Sequence, residues 1–265
     1  MDCRGTGVRF PPAPLNLHHH NAATDARNAA VRMAWTDLLF LHWSVPAEQM
    51  RAHIPPALEL DTFDGRAWIG LVPFKMTDCR FRGFGWAPGL RDFYECNVRT
   101  YVRVGDRAGV WFFSLDAANL LPVIGGRWMW RLNYVHSRFR VEHAGDRHEY
   151  ALTRRRGPWA KGSTHIVWRT GDARPLAQPG TLEHFLTERY WLFTLKRGRV
   201  FAGRIHHEPW PLRDATLESI DDGLLACAGF EGVSTRPPES VLASQRIDVI
   251  GQPLTPVDQA PPAVG

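Results

Sequence analysis

The segment Phe93-Tyr94-Glu95-Cys96-Asn97-Val98-Arg99-Thr100-Tyr101-Val102-Arg103-Val104 is followed by the turn residues Gly105-Asp106-Arg107. The chain then returns through Val110-Trp111-Phe112-Phe113-Ser114-Leu115-Asp116. The first part is the longest strand candidate in the chain, and the whole reads as a β-hairpin. Side chains alternate along a strand, so Glu95, Asn97 and Arg99 share one face, and Tyr94, Cys96, Val98 and Thr100 the other. A Glu/Asn/Arg row has two readings. It is either a solvated outer wall with a weak ion pair, or the polar lining of a barrel in which an arginine fixes a carboxylate ligand through a bidentate contact. The apolar set would also serve as a core face, so periodicity leaves both readings open.

Outward from this hairpin the same pattern repeats. Leu38 to Val45 reads as a strand, and Pro46 opens a short helix over Ala47 to Ile54. Ala67 to Met76 is a strong strand. Tyr134 to His143 and His148 to Arg155 form a second hairpin, and Thr164 to Arg169 a further strand. Trp191 to Lys196 and Val200 to His207 form a third hairpin around Arg197-Gly198-Arg199. Leu217 to Ile220 and Arg246 to Ile250 are late strands. Short helices are expected over 118–131, over Thr181 to Arg189 and near Leu224 to Ala228. About ten strands joined mostly by short turns predict a mainly β (α+β) fold, an antiparallel, largely closed barrel with a few short helices at its rim.

The ends differ from the middle. Residues 1–32 contain Pro11-Pro12-Ala13-Pro14 and His18-His19-His20 and show no periodicity that could pack. The run Gly5 to Pro14 looks like the translated end of a transfer-RNA gene. The expectation is therefore a disordered or spurious extension over 1–32 with the true start at Met33, one domain over 33–252, and a frayed Pro/Ala-rich tail over 253–265.

Composition removes several function classes. The formal charge is +5, and only Lys75, Lys161 and Lys196 among 32 basic residues are lysines. The arginines are scattered among acids, which argues against a nucleic-acid partner. No apolar run reaches membrane-spanning length. Cys3, Cys79, Cys96 and Cys227 are far apart with no CxxC, so neither a disulfide framework nor a zinc site is expected, and a reducing cytoplasm is the simplest compartment. Ser114 lacks a nucleophile-elbow motif, and Asp116 reads as a helix cap. His206-His207-Glu208 points to both faces of a strand, while His42, His136 and His165 are isolated and read as packing residues, so no metal is expected. Neither GxGxxG after a strand nor a P-loop occurs, so no cofactor is expected.

The segment from Phe40 through Trp43-Ser44-Val45-Pro46 to Ile54-Pro55-Pro56-Ala57-Leu58-Glu59-Leu60 resembles the opening of acetoacetate-decarboxylase-like proteins. Tyr94-Glu95 is similar to that superfamily's "YNE" strand, whose glutamate lines the cavity. Gly126-Arg127-Trp128-Met129-Trp130 looks like its "GREIW" helix. More closely, the chain resembles the YqjF-like domain of unknown function placed in that superfamily. That pattern is carried by Trp35 to Phe40, Val72-Pro73-Phe74, Asn97 to Tyr101, Phe113 to Asp116, Leu186 to Tyr190 and His206 to Leu212, and it covers about Trp35 to Val249. Placing the Gly126-Arg127 run on the decarboxylase motif puts the lysine pair at Tyr134 and Val135, and neither supplies the amine of a Schiff base. Lys75 is the remaining lysine near a cavity strand, and such a lysine more often reaches to solvent.

The resemblance thus implies a small-molecule cavity inside the barrel. Glu95 and Tyr134 would serve as acid/base or hydrogen-bond groups, and Asn97, Arg99, Ser114 and Arg127 would hold an acidic or oxygen-rich metabolite, with Glu95 in salt-bridge reach of Arg99 or Arg127. The rival expectation is a non-catalytic ligand-binding or assembly protein, and a homo-oligomer is compatible with either.

Overall fold

The alternating segments form thirteen strands among the residues that the computed structural model describes, 29–83, 91–120, 123, 130–155 and 161–257. In chain order they are β1 (Val31–Val45), β2 (Glu59–Leu60), β3 (Ala67–Phe81), β4 (Phe93–Val104), β5 (Arg107–Ala117), β6 (Tyr134–Ala144) and β7 (Arg147–Arg154). These are followed by β8 (Ser163–Ala173), β9 (Trp191–Lys196), β10 (Arg199–His206), β11 (Leu212–Asp222), β12 (Ser240–Gly251) and β13 (Thr255–Pro256). Three short helices, α1 (Ala47–Arg51), α2 (Leu182–Thr187) and α3 (Leu224–Cys227), lie between them. Thr181 caps α2, its side chain accepting from the His184 N–H at 3.3 Å, with His184 in place of the acid that usually completes a capping box. The helix expected over 118–131 falls mostly on residues outside the described set.

The pairing closes on itself. The order β5-β6-β7-β8-β11-β12-β1-β3-β4 returns to β5 and makes a nine-stranded ring. A second path, β5-β9-β10-β12-β1-β3-β4, makes a smaller ring that shares five strands with the first. β5 forks to serve both. It pairs with β9 over Val110 and Trp111 and with β6 over Leu115 to Ala117. Both of these pairings are parallel and the others antiparallel, so the expected antiparallel barrel is a mixed one. The approach of β9 to β5 depends on Gly109, since a Cβ there would sit 2.4 Å from the Trp191 carbonyl oxygen.

A wall shared by two rings has no solvent face. In β1, Leu39, Leu41 and Trp43 belong to one core, while Leu38 and Phe40 belong to another on the opposite face. β4 repeats the pattern, with Cys96, Val98 and Val102 in the first core and Phe93 in the second. Tyr101 packs with Trp68, Val110, Leu186 and Leu192 in a third cluster. The two readings of the Glu95 row assumed that one face of β4 meets water; both faces are covered.

The ends of the ordered barrel correct two expected boundaries. β1 begins ahead of Met33, because Val31 is buried and pairs with both Gly251 and Phe81. The Ala30 N–H also donates to the Gly251 carbonyl at 2.8 Å. At the other end, Thr255 and Pro256 pair with β10, and the Val257 N–H donates to Val200 at 3.0 Å, so the chain is held past residue 253. Among the described residues no helix is long and apolar enough to cross a membrane.

Candidate active site

β4 carries Glu95, Asn97, Arg99 and Tyr101 on one face at intervals of two residues, and all four are buried. The row from Glu95 to Arg99 spans about 13 Å at strand spacing. Facing neighbours are set by register. Phe74 lies opposite Glu95, Val72 opposite Asn97 and Gly70 opposite Arg99. Gly70 is followed across β1 by His42, and a Cβ at Gly70 would meet the His42 ring at 2.8 Å. Glycine here lets the imidazole lie flat over the strand and reach the polar row.

At one end of the row sits a proton-rich group. The carboxyl of Glu95 is 2 % exposed and is pushed up to about 8, chiefly by burial. A hydrogen bond with Tyr134 works against that rise, and the charge of Asp116 adds to it. Burial and the neighbouring Glu95 hold the Tyr134 phenol well above its ordinary range. Cys79 is pushed up to about 12 by burial and by Glu95. All three groups are therefore neutral at pH 7. The Tyr150 hydroxyl donates to the Glu95 backbone carbonyl at 2.8 Å, fixing the strand at this point.

At the other end sit two guanidinium groups. Arg99 donates to the Leu186 carbonyl at 3.1 Å and lies over the rings of Phe40 and Tyr101 at 5.5 and 5.8 Å. Among the described residues no carboxylate pairs with it. Arg189, beside it, is paired with Asp61 at 2.6 Å. The Tyr101 hydroxyl donates to Leu186 at 2.8 Å and so accepts from Nε2–H of His42 at 2.7 Å. Burial first, and then the charge of Arg99, lower the His42 pKa, so the ring is neutral and Nδ1 is a lone pair. Of the two buried arginines only Arg189 has a carboxylate partner among the described residues, so this end of the row is net positive.

Buried polar atoms without a partner cluster on this face. They include Glu95 Oε2, Asn97 Oδ1, Arg99 Nε and His42 Nδ1, together with the indole nitrogens of Trp35, Trp68 and Trp210. Such atoms are costly unless water or a ligand meets them.

Ser114 is not part of this group. The register at the Gly105 turn, running from Val104↔Arg107 to Arg99↔Phe112, would set Ser114 opposite Asn97. A bulge at Phe113 shifts the ladder by one residue, so Ser114 faces Val98 and Asp116 faces Cys96 on the opposite side. There Asp116 accepts from Arg154 Nε and Nη2 at 2.8 Å each and from Ser137 at 2.7 Å, and Arg154 also donates to Ser114 at 2.8 Å. Asp116, expected as a helix cap, is the centre of a buried ion pair. Its signal in the sequence was weak, since Arg154 is nearly forty residues away and the second hairpin had to be placed first.

The expected salt bridge to Glu95 is not formed by Arg99, which lies two residue pairs along the strand; the neighbour of Glu95 is Tyr134. Arg127 lies outside the described residues. Lys75 pairs with Tyr94 in the β3–β4 ladder and lies over its ring at 5.7 Å, on the face away from Glu95. A cavity of about 290 Å³ is lined by Tyr134, Ser114, Arg131, Arg154 and Cys227 among others.

A family model of uncharacterised conserved proteins matches residues 32–248, the whole of both rings apart from the first and last residues of the sheet. The chain belongs to the DUF2071 family. Within the family it is similar to the uncharacterised protein YqjF of Bacillus subtilis, 40% identical over 188 residues, covering 71% of this chain and 77% of that protein. The solved structures it resembles share the family's fold at much lower identity. An acetoacetate-decarboxylase-like enzyme from Sphingomonas wittichii superposes with a TM-score of 0.59 at 12% identity, covering 88% of this chain and 94% of that one. Acetoacetate decarboxylase from Legionella pneumophila gives 0.55 at 15%, covering 86% and 88%. The enduracididine biosynthesis enzyme MppR, in complex with pyruvate, gives 0.51 at 15%, covering 84% and 87%. For this DUF2071 member those likenesses establish the acetoacetate-decarboxylase-like fold.

His42 and Tyr101 complete the polar face and were missed from sequence. His42 reads as an isolated packing residue until β1, β3 and β4 are placed in register, when it falls beside Arg99.

Proposed function

We propose that the Glu95–Arg99 face binds a small, acidic or oxygen-rich metabolite and carries out acid–base chemistry on it without a Schiff base. The observation that carries this reading is Arg99, a buried guanidinium that no described carboxylate neutralises. A charge so placed calls for an anionic partner, and a ligand carboxylate supplies one with the geometry a guanidinium prefers. A ligand held by its carboxylate at Arg99 extends along Asn97, whose Oδ1 lacks a partner, toward Glu95. Glu95 is protonated at neutral pH and acts as a general acid toward a carbonyl or enolate oxygen, with the Tyr134 phenol as a second donor. Of the three lysines, Lys75 faces away and Lys161 and Lys196 lie outside this face, so no amine attacks the carbonyl. That MppR holds pyruvate supports a small oxo acid as the class to try first.

The test is binding of pyruvate and acetoacetate to wild type, Arg99→Gln and Glu95→Gln, followed by thermal shift and ligand-detected NMR. Binding to wild type that weakens more than about tenfold in Arg99→Gln is expected from loss of a bidentate ion pair. Borohydride treatment with acetoacetate should leave the mass of the protein unchanged. An adduct on Lys75, or equal binding by Arg99→Gln, would overturn the reading.

A second reading rests on a different observation. Trp35 stacks on Trp210 at 5.9 Å, and Phe40 and Phe74 pack edge-on against the same pair, so aromatic rings fill much of this face. A non-catalytic protein that retains the fold as a structural module would be filled in this way. Oxo acids that bind without being turned over would favour a ligand-binding module, and failure of all oxo acids to bind would favour the structural one. A cytoplasmic setting and the absence of a nucleic-acid partner accompany either reading as proposals.

A further inference from the structure

We propose that Asp37, His143 and His148 form a binding site for a first-row divalent transition-metal ion at the tip of the β6–β7 hairpin. The second hairpin turns tightly, with Ala144 opposite Arg147, and this register sets His143 directly opposite His148. Side chains opposite one another on one face of an antiparallel pair lie close enough to act together. Here the two Nδ1 atoms are 2.8 Å apart and the rings meet at 88°. Only one of the two nitrogens can hold a proton in such a contact, and a cation satisfies both lone pairs at once.

His148 is aimed by its surroundings. Its ring stacks on Trp168 with centroids 4.8 Å apart and planes within 6° of parallel. Its Nε2 meets Thr170 Oγ1 at 3.2 Å. A ligating histidine whose other nitrogen is held in this way has its tautomer and ring orientation fixed, which is how metal sites orient their ligands.

The third donor comes from the other side of the chain. β1 departs from regular pairing at Asp37, whose φ is 53°. The β1–β12 ladder passes from Thr36↔Arg246 to Leu38↔Ser244 without it, and the β1–β3 ladder shifts over the same stretch. An irregularity of this kind re-aims a side chain, and the ligand atoms of Asp37, His143 and His148 all lie within 4.8 Å of one another. Among the described residues Asp37 takes part in no ion pair. A bound ion at about 2.0–2.2 Å from each donor draws the trio inward, and His143, which is exposed, has room to move. Two imidazoles and one carboxylate suit zinc, cobalt, nickel or copper rather than magnesium or calcium. Three protein donors leave a coordination position open to water or to a ligand atom.

The experiment uses the full chain with His18, His19 and His20 replaced by alanine, so that the N-terminal histidines do not compete. Cobalt(II) is titrated and its visible d–d absorption followed, and zinc is then added as competitor. One equivalent of cobalt displaced by zinc is expected. His143→Ala and Asp37→Asn should each weaken cobalt affinity at least about tenfold. Glu149→Gln, at a half-exposed carboxylate on the same hairpin that pairs with Arg147 and His165, should leave it unchanged. His143 is exposed, so its loss leaves the fold intact, and circular dichroism of each variant confirms this. Unchanged affinity in His143→Ala and Asp37→Asn, or no saturable cobalt binding by the parent chain, would overturn the proposal.

Discussion

Burial changes the chemical behaviour of Glu95, and the change has a thermodynamic signature. Its carboxyl is raised from an ordinary 4.5 to about 8 in the folded protein. Between those values the folded state keeps a proton that the unfolded state has lost. Stability therefore falls as pH rises through this window; the contribution is fully present below about pH 4.5 and lost above about pH 8. Glu95→Gln removes the titration while keeping a similar shape and a donor. We expect its stability to match wild type near pH 5 and to exceed it near pH 8.5 by about a few kcal/mol at most, seen as a higher melting temperature. Thermal melts of the two proteins across pH 5–9 measure the difference, and parallel curves would show that Glu95 ionises freely. The same residue shows what the sequence made legible. Alternation alone put Glu95, Asn97 and Arg99 on one face, and the resemblance to acetoacetate-decarboxylase-like proteins turned that face inward. Ser114 was misplaced by a single extra residue at Phe113, because a bulge leaves no mark in an apolar run such as Trp111-Phe112-Phe113. Asp116 was read as a cap because its partner, Arg154, becomes a neighbour only once β6 and β7 are folded against β5.

Among the elements, β5 has the most demanding position, since it pairs with β4 along its length and with two parallel partners on its other edge. Hairpins announce themselves through turn residues such as Gly105-Asp106 and Gly198; parallel pairings between distant segments do not, which is why the three hairpins were legible and the fork was not. Gly109 is the point where the fork is tightest. A methyl group there meets the Trp191 carbonyl oxygen at 2.4 Å and its carbon at 2.8 Å, both backbone atoms that can move only with the strand. Gly109→Ala is expected to push β9 away from β5 and to lower stability by about 1–3 kcal/mol, the usual range for overpacking. Urea unfolding monitored by tryptophan fluorescence reads the loss. An unchanged midpoint would mean that β9 does not press on β5 at this position.

At the scale of the molecule, the two rings depend on one seam. β12 pairs with β1, β11 and β10, and its last residue, Gly251, lies opposite both Val31 of β1 and Ile205 of β10. The Val31 side chain sits directly over Gly251, where an added Cβ would meet Val31 Cγ1 at 2.8 Å. Just upstream, the Ala30 N–H donates to Gly251 and the Ala30 carbonyl accepts from the Arg82 N–H at 3.0 Å. These few residues close the point at which the smaller ring joins the larger, although composition had assigned them to a dispensable extension. A chain starting at Ala29 keeps these contacts, while one starting at Met33 loses the two Ala30 backbone hydrogen bonds, the ladder pairing of Val31 and Arg32 and the burial of Val31. Those losses amount to about 3–6 kcal/mol, and in a domain of this size each kcal/mol moves the melting temperature by about 2–4 °C. Differential scanning calorimetry of the two chains reads the loss. Equal melting of the Met33 chain and the Ala29 chain would show that the seam closes without Val31, and that β10 alone holds the end of β12.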